Sequence, residues 1–280
     1  MSYLLIGNIS ALICEECIEP LANARIRIYL PGTPYEADEL AAGIFKDLRQ
    51  LSERDVQAKE ERLLAESRLD ERGNFSIGWE DLHLFTEPLE MDICLNSVPG
   101  RDQGQQDWIQ YHLSSFVPHW KRSRDKYLAA FAYVVPSEQW SAIRREFGAW
   151  AVAGTVRHFE THEALRGVRV EMYNAHTQKP LAIAFTGENG RYRLYFNRIS
   201  GKQAPDVYFK VYGSHGLIWS ENPDNALQPE RQQIANCTKI NLAVVPSAGE
   251  KRTARLTGWI SDFISSKSTK SNYKDRYVMY

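Results

Sequence analysis

The sequence predicts a mainly β protein: two tandem antiparallel β-sandwich domains, the first with a helical insert. Three observations predict it. Short segments alternate apolar and polar residues with period two. Turns rich in Gly, Asn and Pro separate them. Four segments recur in the same order along the 280-residue chain, which is the mark of a duplicated unit.

The first pair is LIGNI (5–9) and VAGTV (152–156), apolar strands around Gly7 and Gly154. The second is LANARIRIYL (21–30) and LRGVRVEMYN (165–174). There Leu21, Arg25, Ile26, Ile28 and Tyr29 match Leu165, Arg169, Val170, Met172 and Tyr173. The third is LDERGNFSIGW (69–79) and FTGENGRYRLYF (185–196), an acid and a glycine ahead of an aromatic strand. The fourth is VVPS, identical at 134–137 and 244–247. Ala24, Ile26 and Ile28 alternate with Arg25, Arg27 and Tyr29, and Val168, Val170 and Met172 with Arg169, Glu171 and Tyr173. Phe75, Ile77 and Trp79 mark one face of the next strand, as do Tyr192, Leu194 and Phe196. Period two with one apolar face is a half-buried antiparallel strand. Met91, Ile93 and Leu95 add a strand to the first unit, and Val207, Phe209 and Val211 add one to the second. Residues 70–73 and 187–190 predict hairpin turns, because Asn and Gly tolerate positive φ. Asp70, Glu71 and Glu188 then serve turn chemistry and solubility, not catalysis.

The run G-x-V…L-x-G-V-x-V-x-M-Y…A-x-T-x-E-N-G-x-Y-x-L…P-D-V-Y-F-K-V-Y, from Gly154 through Tyr212, resembles the transthyretin-like (prealbumin-like, carboxypeptidase-regulatory-like) β-sandwich. The first repeat fits apart from an insertion between Tyr29 and Asp70. The resemblance covers 2–137 and 150–247, and it implies modules used in adhesion, carbohydrate binding and assembly. The expected layout is a first sandwich at 1–137, a short helical linker at 138–149, a second sandwich at 150–247 and a tail at 248–280.

The insert, about 35–62, is helix-like, with Leu40, Ile44, Leu48 and Leu51 on one face at three- and four-residue spacing. Ser52 with Asp55 is a capping-box variant that opens a second short helix. Such an insert covers a sheet edge or docks a partner. A long loop is expected at about 96–126, carrying Trp108, Tyr111, Phe116 and Trp120 ahead of Lys121, Arg122, Arg124 and Lys126. Basic residues among aromatics suit an anionic polymer or a sugar; otherwise they are a solvated charge run. In the linker, Trp140, Ile143 and Phe147 share one helix face. The tail holds Trp259, Phe263, Tyr273, Tyr277 and Tyr280, the partner-binding candidates, with strand addition to a neighbouring subunit as the expected mode.

Hydrophobic residues make up 43% and charged residues 25%, with net charge −1. That balance gives no global field toward nucleic acid or a membrane surface. No apolar run approaches the roughly 20 residues of a spanning helix. The first residues lack a basic region and a small-residue cleavage site, so they read as a strand, without a Sec-type signal, and synthesis is expected in the cytoplasm. Four scattered cysteines do not make a disulfide framework.

Cys14 and Cys17, with His158 and His162 at the matching place in the second repeat, are the best metal candidates. A closed zinc site needs four ligands, and a redox pair needs a helix N-terminus; neither is expected here. Intradiol dioxygenases share a related sandwich and bind iron through Tyr and His, but no convincing set stands at a suitable spacing. The expectation is no enzyme, no catalytic residue, no metal and no cofactor. The function expected is a structural or adaptor subunit of a larger protein assembly, docking through the tail and the insert. Its partners would be other subunits or further copies of this chain, and a contractile-tail or injection-type particle is one setting. The alternative is a carbohydrate- or surface-binding module using Trp108, Trp120, Lys121, Arg122 and Arg124, with Trp219 as a further platform.

Overall fold

The structure is a computed structural model that describes residues 2–14, 17–32, 48–80, 88–101, 107–197, 204–224 and 228–245. It divides into two compact units. One takes in Met1–Ala153, Arg193–Pro205 and Gln232–Ile240; the other takes in Gly154–Tyr192, Asp206–Arg231 and Asn241–Tyr280. The chain is mainly β, as the alternation predicts.

The first elements in chain order are β1 (Ser2–Cys14), β2 (Cys17–Pro20), β3 (Arg25–Tyr29), β4 (Arg49–Gln50), helix α1 (Glu53–Glu60), β5 (Leu63–Arg68) and β6 (Asn74–Glu80). They continue with β7 (Leu89–Leu95), β8 (Ile109–Phe116), β9 (Lys121–Ser123), β10 (Lys126–Val135) and helix α2 (Ser137–Glu146). One sheet runs β2-β1-β10-β9, with β6 also on β1; the other runs β4-β8-β7-β3-β5. Between them lie Leu5, Ile9, Phe75, Ile77, Ile26, Ile28, Met91, Ile93 and Leu113, all buried in one core. This is a β-sandwich.

The later strands are β11 (Ala149–His158), β12 (Arg169–Asn174), β13 (Pro180–Phe185), β14 (Arg191–Asn197), β15 (Val207–Gly213), β16 (Gly216–Ser220), β17 (Cys237–Lys239) and β18 (Leu242–Val244). They form a sheet β13-β12-β15-β16 and a sheet β14-β11-β17, with β18 also on β11. Tyr192 meets Phe209 edge-on at 6.4 Å, one ring from each sheet.

Corresponding positions of the two sequence repeats make corresponding hydrogen bonds. Ile9 N–H donates to the Gly73 carbonyl and Val156 N–H to that of Gly190, both at 2.8 Å. Leu21 N–H then donates to the Ile9 carbonyl and Leu165 N–H to that of Val156, at 3.3 and 2.9 Å. Gly73 and Gly190 have φ of 77° and 67°. A Cβ on either would collide with the carbonyl oxygen of Ile9 or Val156, so both conformation and contact demand glycine. Asp70 accepts from the backbone of Arg72 and Asn74, each at 2.8 Å. The Asn74 amides hold its carboxyl below the usual carboxylate range. The acid serves the turn, as expected.

Four expectations change. Residues 70–73 and 187–190 are not hairpins within one sheet: β5 pairs with β3 while β6 pairs with β1, and β13 pairs with β12 while β14 flanks β11. The turns carry the chain from one sheet to the other. The sandwiches are not wholly antiparallel, because β1 pairs in parallel with β10, and β11 with β17 and β18. The matching VVPS segments are one residue out of step. Val135 is buried and Val134 exposed, whereas Val244 is buried and Val245 exposed. A single-residue slip turns every side chain to the other face. Finally, 96–126 is not one long loop, since β8 lies next to β7, with Tyr111 and Leu113 in the core and Gln110 and His112 on the other face.

Of the helical insert, Leu40 and Ile44 lie outside the described residues. Leu48 and Leu51 do not continue a helix, because Arg49 and Gln50 pair with His112 and Tyr111. The Ser52–Asp55 capping box is present. Trp140, Ile143 and Phe147 of the linker segment face the core. Beneath them Glu19 and Arg144 are fully buried, 3.3 Å apart, and Trp140 Nε1 donates to the same Glu19 oxygen at 2.7 Å. Arg144 also donates to the carbonyls of Pro99 and Trp150, at 3.0 and 3.2 Å.

Removing one member of such a pair leaves a buried charge without its partner, which costs about 3–5 kcal/mol. Glu19→Ala should therefore lower stability by about that much in urea denaturation followed by tryptophan fluorescence. Glu19→Met with Arg144→Met should lose clearly less. Gly73→Ala and Gly190→Ala should each cost more than about 1 kcal/mol, because both force a side chain into positive φ.

Candidate functional site

The expected ligand-binding residues do not form one platform. Trp120 is 8% exposed and packs edge-on against Tyr3 at 5.0 Å and Trp79 at 6.4 Å, so it belongs to the core. Trp108 is 37% exposed, and the Arg25 guanidinium lies 4.1 Å from its ring. Trp219 is half-buried on β16. Lys121, Arg122 and Arg124 are exposed. They stand on and beside β9, which closes the β2-β1-β10-β9 order; charge at such an edge discourages strand addition. Trp259, Phe263, Tyr273, Tyr277 and Tyr280 lie outside the described residues.

Cys14 and Cys17 pair across β1 and β2, and Cys237 joins them around Ile13, which the spacing did not foretell. All are free thiols. Burial pushes the Cys237 thiol up to about 12, which favours the inert protonated form over the thiolate that binds metal or reacts. His158 Nδ1 accepts from the backbone N–H groups of Glu160 and Thr161, both at 3.2 Å. His162 has a φ of 58° in the same turn. Among the described residues, no three His, Cys, Asp or Glu side chains are placed to hold a metal ion.

The most developed polar arrangement lies on the outer face of the β4-β8-β7-β3-β5 sheet, beneath α1. Alternation on β7 sends Met91 and Ile93 inward and Glu90 and Asp92 outward. Lys59 of α1 reaches down to them, at 2.9 Å from Glu90 Oε2 and 2.7 Å from Asp92 Oδ2. Its ammonium also lies 4.6 Å from the Tyr29 ring centroid. Gln110 donates to Asp92 at 2.7 Å and to the Tyr29 hydroxyl at 2.9 Å. His112 Nδ1 is 2.9 Å from Asp92 Oδ1. Burial would raise the Asp92 pKa, but the hydrogen bond from His112, the charge of Lys59 and the donors of Lys59 and Gln110 together lower it.

Ser115 Oγ lies 3.4 Å from His112 Nε2, which extends the series to hydroxyl, imidazole and carboxylate. Asp92 is already shared with Lys59 and Gln110, and Ser115 is buried. In the structure the series ties Lys59 of α1 to β7 and β8. Sequence reading missed this cluster, although one signal was present: an acid, Asp92, between two core residues of a predicted strand.

The equivalent face of the other unit is different. On β12 and β15, Arg169, Glu171 and Tyr173 pair with Tyr212, Lys210 and Tyr208. Tyr173 stacks on Tyr208 at 5.2 Å. Lys210 Nζ lies 4.6 Å from the Tyr173 ring and 5.8 Å from the Tyr208 ring, and the Arg169 guanidinium lies 4.4 Å from the Tyr212 ring. Arg169 also pairs with Glu171 at 2.9 Å. On β13, Ile183 and Phe185 stand opposite Glu171 and Arg169; on β16, Leu217 stands opposite Tyr212. These three are 57%, 68% and 51% exposed. Ile183 and Phe185 make an exposed apolar pair on β13, with Leu217 across the sheet beyond Arg169 and Tyr212, and exposed apolar clusters mark interaction surfaces.

No family model and no curated protein matches the chain. Solved structures that resemble it include the TIE protein of Bacillus anthracis, at 10% identity and a TM-score of 0.27 over 88% of this chain and 34% of that one. The shaft pilin SpaA of Lactobacillus rhamnosus GG matches at 10% identity and a TM-score of 0.27, over 89% of this chain and 99% of that one. The minor pilin GBS52 of Streptococcus agalactiae matches at 9% identity and a TM-score of 0.27, over 87% and 95%. This chain thus spans about a third of the length of the TIE protein. Likeness this low carries no function across, so the reading below rests on geometry.

Asp92 has a lowered pKa in the folded chain, so it contributes stability above its ordinary value of 3.8 and loses that contribution as pH falls through the lower folded value. Asp92→Asn should flatten the acid-side decline of stability in denaturation curves taken between about pH 2 and 5. At neutral pH it should lower stability, since Lys59 loses a buried partner.

Proposed function

We propose that this protein is a non-catalytic structural or adaptor subunit that docks another protein through the outer face of the β13-β12-β15-β16 sheet. The observation that carries this reading is the exposure of Ile183, Phe185 and Leu217 on one side of a sheet whose other side is already core. A sheet needs one buried face to be stable. A second apolar face is a liability in water unless something covers it. The Lys59–Asp92–His112 series is engaged in its own contacts, and His158 and His162 are held in a turn.

The tail residues Trp259, Phe263, Tyr273, Tyr277 and Tyr280 are proposed as a second contact on their aromatic composition, and a contractile-tail or injection-type particle as one setting by analogy alone. Carbohydrate binding through Trp108 and Trp120 is not favoured, because Trp120 is in the core.

Tagged full-length chain, purified from its source cells after crosslinking, should bring down a defined partner. Ile183→Asp with Phe185→Asp should abolish that recovery while the melting temperature stays within a few degrees, both sites being exposed. Unchanged recovery would overturn the reading. Deletion of 248–280 followed by light scattering should reduce assembly size if the tail is a second contact.

A further inference from the structure

Resting on that reading of the β12–β15 face as a docking surface, we propose its occupant: an amphipathic helix of a partner protein that brings a carboxylate to Lys210. The two units present the same sheet position by position. Arg25, Arg27 and Tyr29 correspond to Arg169, Glu171 and Tyr173, and Cys94, Asp92 and Glu90 opposite them correspond to Tyr212, Lys210 and Tyr208. The register shift before Tyr29 recurs before Tyr173. In the first unit the helix α1 reaches this face through one buried residue, Lys59, which sits between the carboxylates of Glu90 and Asp92.

In the second unit the charge is reversed. Lys210 stands where Asp92 stands, and Ile183 where Glu66 stands. Glu171 is already engaged by Arg169. Glu171 is the register partner of Lys210, yet among the described residues no carboxylate forms an ion pair with it, and its ammonium rests on tyrosine rings. A cation on an aromatic floor, with Ile183 in its own row across the sheet and Phe185 and Leu217 in the next row, is complementary to an apolar helix stripe interrupted by Glu or Asp.

The shape also fits a helix. The exposed part is a sheet face, where backbone groups are already paired, so a ligand must satisfy its own backbone. Three gaps of about 4.8 Å separate the four strands, enough to seat a helix about 10 Å across. The chain's own tail is a poor occupant by charge. It carries Lys251, Arg252, Arg255, Lys267, Lys270, Lys274 and Arg276 against Glu250, Asp262 and Asp275.

The test is selection of a phage-displayed library of single helices on the immobilised full chain, with counter-selection on Phe185→Asp. The expected winners carry an apolar stripe with Glu or Asp at one fixed position. Their affinity in fluorescence anisotropy should fall at least tenfold on Lys210→Glu, fall less on Lys210→Met, and return when the peptide's acid is changed to Lys. Winners without an acid, basic winners, or no enrichment over Phe185→Asp would overturn the proposal. So would binding that appears only after truncation at Val245, which makes the tail the occupant, or a dimer in sedimentation that Phe185→Asp dissolves, which makes it a second copy. If crosslinking still recovers a partner that depends on Phe185, the docking reading survives and only the acidic helix fails. If nothing depends on Phe185 there either, the docking reading falls too.

Discussion

Each unit of this protein depends on one close approach of backbone to backbone. The chain leaves one sheet, turns at Gly73 or Gly190, and enters the other sheet directly against the first strand, at Ile9 or Val156. That contact sets three things together. It fixes where the crossing strand begins, which of its side chains face the core, and how the two sheets are offset. Phe75, Ile77 and Trp79 on β6, and Tyr192, Leu194 and Phe196 on β14, are aimed by it. A bulkier residue at the turn would push the sheets apart at the point where they must be closest.

The inner faces are alike, while the outer faces differ. In the first unit the outer face is polar, and Lys59 of α1 neutralises two carboxylates on it. In the second the same positions became aromatic and apolar around an ammonium that rests on tyrosine rings. The scaffold is duplicated, while what it presents to its surroundings is not. This separation is why a fold built twice need not perform one task twice.

Much of the fold was legible locally. Alternation marked β3, β6, β12, β14 and β15. Ser52 with Asp55 marked the start of α1, and the spacing of Trp140, Ile143 and Phe147 marked α2. Pairing that joins distant segments was not legible. The parallel meeting of β1 with β10 leaves no trace in either strand's own pattern. β8 was obscured by the polar residues around it, and Trp120 reads alike whether it packs on Tyr3 or faces water. The site was harder still. Ile183 and Phe185 alternate with Ala182 and Ala184, so β13 is apolar on both sides, and only the placement of the opposing sheet tells which side remains free. Lys59, Asp92 and His112 are brought together by topology across a helix and two strands.

The out-of-step VVPS segments bear on how such duplicated chains can be recombined. Grafting the closing strand of one unit onto the other by matching letters would present Val134 to the core and turn Val135 to water. A working chimera has to be cut one residue away from the alignment. The parity of the pleat, and not the letters, decides which parts are interchangeable.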